Sequence, residues 1–156
     1  MKGKEYDYKG HLLFEGEYLK KEKWKGKINE YYEDKLIFEG EYLDGKIWSG
    51  KGKEIDSNGN ITCEGEYING KKNGYVKKYD YYGKLLLEGK YINGLKNGYI
   101  KEFDCFDGKL KFEGEYLNDV KNWNAKEYNS NGDLVFEGKY IKGEKMEKET
   151  NIKITN

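Results

Sequence analysis

The chain has no proline, no arginine, one histidine and two cysteines, and it carries no net charge: 29 acidic residues balance 29 basic ones, all of them lysine. Each shortage narrows what the protein can be. Without proline, every residue can donate its backbone N–H, so nothing interrupts a run of strand pairing. Without arginine, the chain lacks the planar fork that grips phosphate or carboxylate bidentately, and no dedicated phosphate, phosphoinositide or base-reading site is expected. Balanced charge supplies no field to draw in nucleic acid or an anionic bilayer, so neither a nucleic-acid partner nor direct membrane binding is expected. The longest aliphatic run is of the kind Leu85-Leu86-Leu87, far too short to cross a bilayer. Residues 1–7 contain no apolar stretch of the signal-peptide type.

The scarce reactive residues do not assemble into a catalytic pattern. His11 is the single histidine and sits in a turn beside Gly10; a metal site needs further nitrogen or sulfur ligands, and a catalytic imidazole needs a group to orient it. No Ser/His/Asp, Cys/His or glycine-rich phosphate constellation is present, so no enzyme, cofactor or metal is expected. Cys63 and Cys105 fall at different places in the repeat described below, which argues against a built disulfide. Free thiols suit a reducing compartment, and the expected location is cytoplasmic.

What the chain does have is aromatic side chains. Only 36% of residues are hydrophobic and 37% are charged, a balance that in most chains points to disorder. The 16 Tyr, 6 Phe and 3 Trp reverse that reading. Each such ring buries about 150–250 Å², so a thin core can be built from few residues.

The aromatics recur with a fixed period. Phe14-Glu-Gly-Glu-Tyr18, Phe38-Glu-Gly-Glu-Tyr42, Cys63-Glu-Gly-Glu-Tyr67, Leu87-Glu-Gly-Lys-Tyr91, Phe112-Glu-Gly-Glu-Tyr116 and Phe136-Glu-Gly-Lys-Tyr140 follow one another at 24 or 25 residues. A period of this size marks a repeat architecture in which each unit buries its apolar face against its neighbours. Each pentad reads as a strand with the aromatics and Gly on one face and the carboxylates on the other. The Gly between two rings leaves a gap on the buried face for an aromatic from the next strand. Asn69-Gly70 and Asn93-Gly94 are type I′ hairpin dipeptides, and Asp44-Gly45 is an acceptable substitute. Second strands follow over Gly74–Tyr79, Gly98–Phe103 and Gly50–Ile55, and further turns at Asn58-Gly59, Asp107-Gly108 and Asn131-Gly132 lead into the next pentad.

The predicted fold is therefore all-β: one domain over residues 1–156, an elongated single-layer array of six antiparallel β-hairpin repeats. Counting from Gly3–Tyr6 to a last second strand near 148–152 gives about thirteen strands and a length of about 60 Å. Lys2, Lys4, Lys145 and Lys148 would guard the two exposed edges.

A unit of Phe-Glu-Gly-Glu-Tyr, then Asn-Gly-Lys-Lys-Asn-Gly, Lys-Glu-Tyr and Asn-Gly resembles the MORN repeat (membrane occupation and recognition nexus), in its longer form of about 24 residues. The likeness runs from about Gly3 to Ile152. It implies a solenoid-like, twisted β-structure used for scaffolding, self-association and partner binding.

Two features stand out as candidate sites. Outward carboxylates such as Glu15, Glu17, Glu64 and Glu66 form two rows, read here as cross-strand partners of Lys27, Lys51, Lys53, Lys77, Lys101 and Lys126, each pair contributing about 0.2–1 kcal/mol. A repeated row offers no single pair of carboxylates set apart for glycoside hydrolysis. Trp24 and Trp48 depart from the repeat. Aligned on the glycines that follow them, they stand where later units carry Lys72, Lys96 and Lys121, in loops one residue longer. Trp is enriched at interaction hot spots, so Trp24 and Trp48 are the expected partner-binding residues; capping of the thin core is the other reading. The expected function is a protein-interaction or scaffolding module, with a carbohydrate or small polar ligand held by aromatic grooves as the alternative.

Overall fold

The computed structural model of the chain describes residues 1–44 and 46–146, with the side chains of Ile47 and Trp48 outside what is described. It is an all-β, single-layer array: one open antiparallel sheet in which every strand hydrogen-bonds to its neighbours in chain order. The strands are β1 Lys2–Tyr6, β2 Leu12–Leu19, β3 Glu22–Tyr32, β4 Lys35–Leu43, β5 Lys46–Ile55, β6 Ile61–Ile68 and β7 Lys71–Tyr79. They continue as β8 Leu85–Ile92, β9 Leu95–Phe103, β10 Leu110–Leu117, β11 Val120–Tyr128, β12 Leu134–Ile141 and the short β13 Glu144–Lys145. The strand expected near 148–152, with its guarding Lys148, lies outside the described residues.

Two kinds of turn alternate, except between β3 and β4, where Glu33-Asp34 forms a second tight turn with positive φ at both positions. Within a hairpin, Asn69-Gly70 and Asn93-Gly94 both take positive φ at each position, as a type I′ turn requires. Lys20-Lys21 and Asn118-Asp119 adopt the same left-handed pair without any glycine. In the other five connections between hairpins, a single acceptor side chain organises a longer loop. Asp56 Oδ1 accepts the N–H groups of Asn58 and Asn60, and the Asp56 carbonyl accepts the Gly59 N–H. Asp7, Asp80 and Asn129 repeat the arrangement, and Asp104 does so in a longer loop. These loops are hydrogen-bonded from within, which frees their middle residues to face solvent.

The core lies on the pentad face. A continuous cluster runs from Cys63 through Val76, Leu87, Tyr91, Ile100, Phe112, Tyr116 and Ala125 to Tyr140. Its packing follows a rule of volume. The residue paired across from the pentad glycine is Gly26 against Gly16, Gly50 against Gly40, Val76 against Gly65, Ile100 against Gly89 and Ala125 against Gly114. The pentads concerned begin with Phe14, Phe38, Cys63, Leu87 and Phe112. Where the leading residue is a full ring, the facing residue is Gly or Ala; where it shrinks to Cys or Leu, a Val or Ile fills the space. A methyl group on Gly50 would lie 2.5 Å from Phe38 Cζ, so the ring already occupies that volume. A methyl on Gly89 would lie 2.7 Å from Ile100 Cδ1 for the same reason. Interiors are packed closely enough to enforce this exchange.

The long lysines cover the rings from the open side. Lys96 Nζ stands 4.2 Å from the Tyr116 ring centroid and Lys121 Nζ 3.8 Å from that of Phe112. The sheet thus closes its core with lysines whose ammonium groups lie over the rings and pair with glutamates at their edge.

Candidate functional site

Beneath those lysines the pentad tyrosines are tied to glutamates. Tyr18 Oη donates to Glu5 at 2.8 Å and Tyr67 Oη to Glu54 at 3.1 Å; Tyr116 Oη donates to Glu102 at 2.8 Å, and Tyr140 to Glu127. A lysine completes each unit: Lys23 on Glu5, Lys72 on Glu54, Lys96 on Glu102, and both Lys121 and Lys145 on Glu127. Burial by itself would raise the Glu127 carboxyl, but hydrogen bonds from Lys145, Tyr140 and Lys121 outweigh it and hold the group down at about 2. Burial, reinforced by Glu102, pushes the Tyr116 hydroxyl well above its ordinary range. These units are spent on closing the core.

Among the described residues, the opposite face has no layer over it. There the direct pairs Lys53–Glu64, Glu64–Lys77, Lys77–Glu88, Glu88–Lys101, Lys101–Glu113, Glu113–Lys126 and Lys126–Glu137 make one row of alternating sign across β5 to β12. This is the cross-strand register expected for those residues, and within it Lys126 and Glu137 close to an ion pair at 3.5 Å. Tyrosines reinforce it: Tyr79 Oη donates to Glu64 at 2.5 Å, while Tyr99 and Tyr128 each donate to Glu113 at 2.7 Å. Those two hydroxyls hold the Glu113 carboxyl below its ordinary value against the opposing effect of burial. A second row, nearer the hairpin turns, carries Tyr75, Lys90, Tyr99 and Glu115, with Tyr75 paired to Lys90 and Tyr99 to Glu115. Tyr75 and Tyr99 are each 51% exposed.

Across β4 to β7 lies a shallow trough of about 400 Å³, lined by Leu36 and Ile37 on one side and by Lys53, Glu64, Tyr75 and Lys77, with Gly52 and Gly65 among its lining. Glu64 also borders a second trough of about 410 Å³, walled by Tyr79, Tyr81 and Tyr82 with Asn60 beside them. Tyr82 is 84% exposed, and Phe106 in the adjacent loop 85%. Lys84 Nζ donates to the Phe106 carbonyl at 2.7 Å and joins the two loops. Sequence reading missed this aromatic edge. Its signal was present: Tyr81-Tyr82 and Phe106 stand where two other loops carry Ser57-Asn58 and Ser130-Asn131 and the first carries Tyr8-Lys9.

The tryptophans need realignment. Tyr18 pairs with Lys23 and Glu17 with Lys25, which leaves Trp24 as the single unpaired residue of a bulge. Trp48 occupies the same place on β5, between Ile47 opposite Tyr42 and Ser49 opposite Glu41. In the later repeats Tyr67 pairs with Lys72 and Gly65 with Val76, so the bulge there holds Asn73, Gly74 and Tyr75 opposite Glu66 alone. Lys23 is therefore the counterpart of Lys72, Gly26 that of Val76, and the early bulges are one residue shorter than the later ones. The alignment expected from sequence, with Trp24 over Lys72 and an extra residue in the early loops, is corrected by this pairing. Matching glycines misled because Gly26 serves packing against Gly16, whereas Gly74, at φ 115°, serves the bulge. Trp24 is 38% exposed, and its carbonyl accepts the Asp44 N–H at 2.7 Å.

His11 is held more firmly than its turn suggested. Its Nδ1 lies 2.7 Å from Asp7 Oδ2, its ring stacks on Tyr31 at 4.7 Å between centroids, and its Nε2 lies 3.8 Å from Asp34. With carboxylates at both nitrogens, the imidazole bridges two neighbouring loops. Among the described residues, no group of three or more His, Cys, Asp or Glu side chains is placed to hold a metal ion. No protein-family model matches the chain, and no curated protein is significantly similar to it.

Proposed function

We propose that the protein is a non-enzymatic interaction or scaffolding module built of MORN-like hairpin repeats, acting in the cytoplasm and able to associate with a protein partner or with itself. One observation carries this reading: an eight-strand stretch of sheet keeps one face closed by its own tyrosines and lysines and, among the described residues, leaves the other without a layer. Such a surface suits an extended partner, as in other repeat arrays. On the open face Glu64 and Glu113 accept tyrosine hydroxyls and Glu137 pairs with Lys126, an arrangement that favours a charged surface over proton transfer. Trp24 and Trp48, each in a short bulge and one repeat apart, are the residues assigned to partner contact. A fully buried Cys63 and an exposed Cys105 fit free thiols and a reducing compartment.

Capture of partners from a lysate of the native cell tests the reading. A protein retained by the wild type and lost on changing Trp24 and Trp48 supports it. The alternative, a carbohydrate or small polar ligand, draws support from the trough where Tyr79, Tyr81 and Tyr82 stand beside Asn60 and Glu64. Saturable quenching of aromatic fluorescence by an oligosaccharide, abolished by Tyr82→Ala, would favour that ligand instead.

A further inference from the structure

The row of alternating charge has a consequence that follows from its order. Counted from β5 to β12 it begins with lysine and ends with glutamate, so reading it backwards inverts every sign. We propose that this face binds a second copy of the chain, in an isologous dimer whose two-fold axis runs parallel to the strands between β8 and β9. The proposal deepens the interaction-module reading and rests on it.

That axis carries each position of the row onto its mirror-order partner. Glu88 then faces Lys101 of the second copy, and Lys77 faces Glu113 of the second copy. The second row matches under the same operation: Lys90 comes over the ring of Tyr99, a cation–π geometry, and Tyr75 reaches the Glu115 carboxylate. Over β7 to β10 two rows that differ in composition are thus complementary about one axis; at the ends of the second row Lys51 would meet Lys139 of the second copy. A two-fold axis along the row would set lysine on lysine, so charge selects one of the two ways of stacking the faces. Strand twist makes stacked sheets diverge away from their crossing, which concentrates contact on β7 to β10. The partners there are pre-positioned, since Glu113 is already fixed by Tyr99 and Tyr128. Among the described residues, no second layer covers the face.

Sedimentation equilibrium of the whole chain in low and in high salt tests the proposal. A dimer is expected in low salt that weakens as salt screens the pairs. Lys77→Glu should raise its Kd about tenfold or more, and Glu113→Lys should do the same. The two changes combined should restore the affinity, because the second copy again meets opposite charge. Within one chain these positions lie three strands apart, about 14 Å, so the combination repairs nothing inside the monomer. Lys77→Met, which removes charge without adding repulsion, should weaken the dimer in the same direction, and melting curves confirm that each variant is folded. A monomer in low salt at concentrations up to about 1 mM overturns the proposal. So does a dimer indifferent to all the variants, or a combined variant that stays weak. A monomer that still captures a lysate partner overturns the dimer alone; the module reading fails only when partner capture and self-association are both lacking.

Discussion

Trp123 faces Tyr140 across the β11–β12 ladder with φ at 64°, in the place where Gly74 faces Tyr91 and Gly98 faces Tyr116. Glycine takes this left-handed conformation freely; for an L side chain it costs about 1–2 kcal/mol. The indole is half exposed, so little burial offsets the cost. Trp123→Gly should therefore stabilise the protein by about 1 kcal/mol in urea unfolding. A loss of stability would mean that the ring packs on Tyr140 strongly enough to repay its backbone.

The volume rule in the core gives a double-mutant cycle. Ala125→Ile alone overfills the space beside Phe112 and should cost about 1–3 kcal/mol. Phe112→Leu alone opens a cavity and should cost about 1–2 kcal/mol. Together they reproduce the Leu87–Ile100 pairing of the fourth repeat, and the combined cost should fall below the sum by about 1 kcal/mol or more. Denaturant melts of the four proteins decide this. Simple additivity would show that the inverse relation of sizes is coincidental.

Acid should weaken the fold through Glu127. Its folded value near 2 lies below the ordinary 4.5, so its contribution is complete above about 4.5 and is lost as pH falls from there toward about 2. Glu54 and Glu102 are lowered by the same Lys and Tyr contacts and act in the same direction. The melting temperature should decline through that window, and Glu127→Gln should flatten the decline. An identical pH profile in the variant would show that the Lys145 and Lys121 contacts do not bear on stability.

Trp24 and Trp48 call for asparagine as the replacement, since Asn73 occupies the later bulge and Lys72 is the counterpart of Lys23. Changing both should lower partner affinity by about 2 kcal/mol or more while the melting temperature holds, if they are contact residues. A lower melting temperature with unchanged affinity of the folded fraction would make them caps of the thin core. A thermal scan beside a binding curve separates the outcomes.

The strand order, the I′ turns at Asn69-Gly70 and Asn93-Gly94 and the sidedness of the pentads were all legible in the residues. These depend on local rules, period-two alternation and turn chemistry, that repetition makes unambiguous. The row of Glu and Lys was legible for the same reason, because a regular ladder brings fixed positions together. Three things were decided only in three dimensions. Which glycine corresponds to which depended on whether it lies beneath a ring, as Gly26 does, or in a bulge, as Gly74 does; both are the same letter. The contact of His11 with Asp7 lies within one turn, but its stacking on Tyr31 and the approach of its Nε2 to Asp34 required that turn to meet the end of β3. The exchange of volume between Phe14 and Gly26 on one side and Leu87 and Ile100 on the other belongs to close packing, which acts between facing strands and leaves no mark on either strand alone.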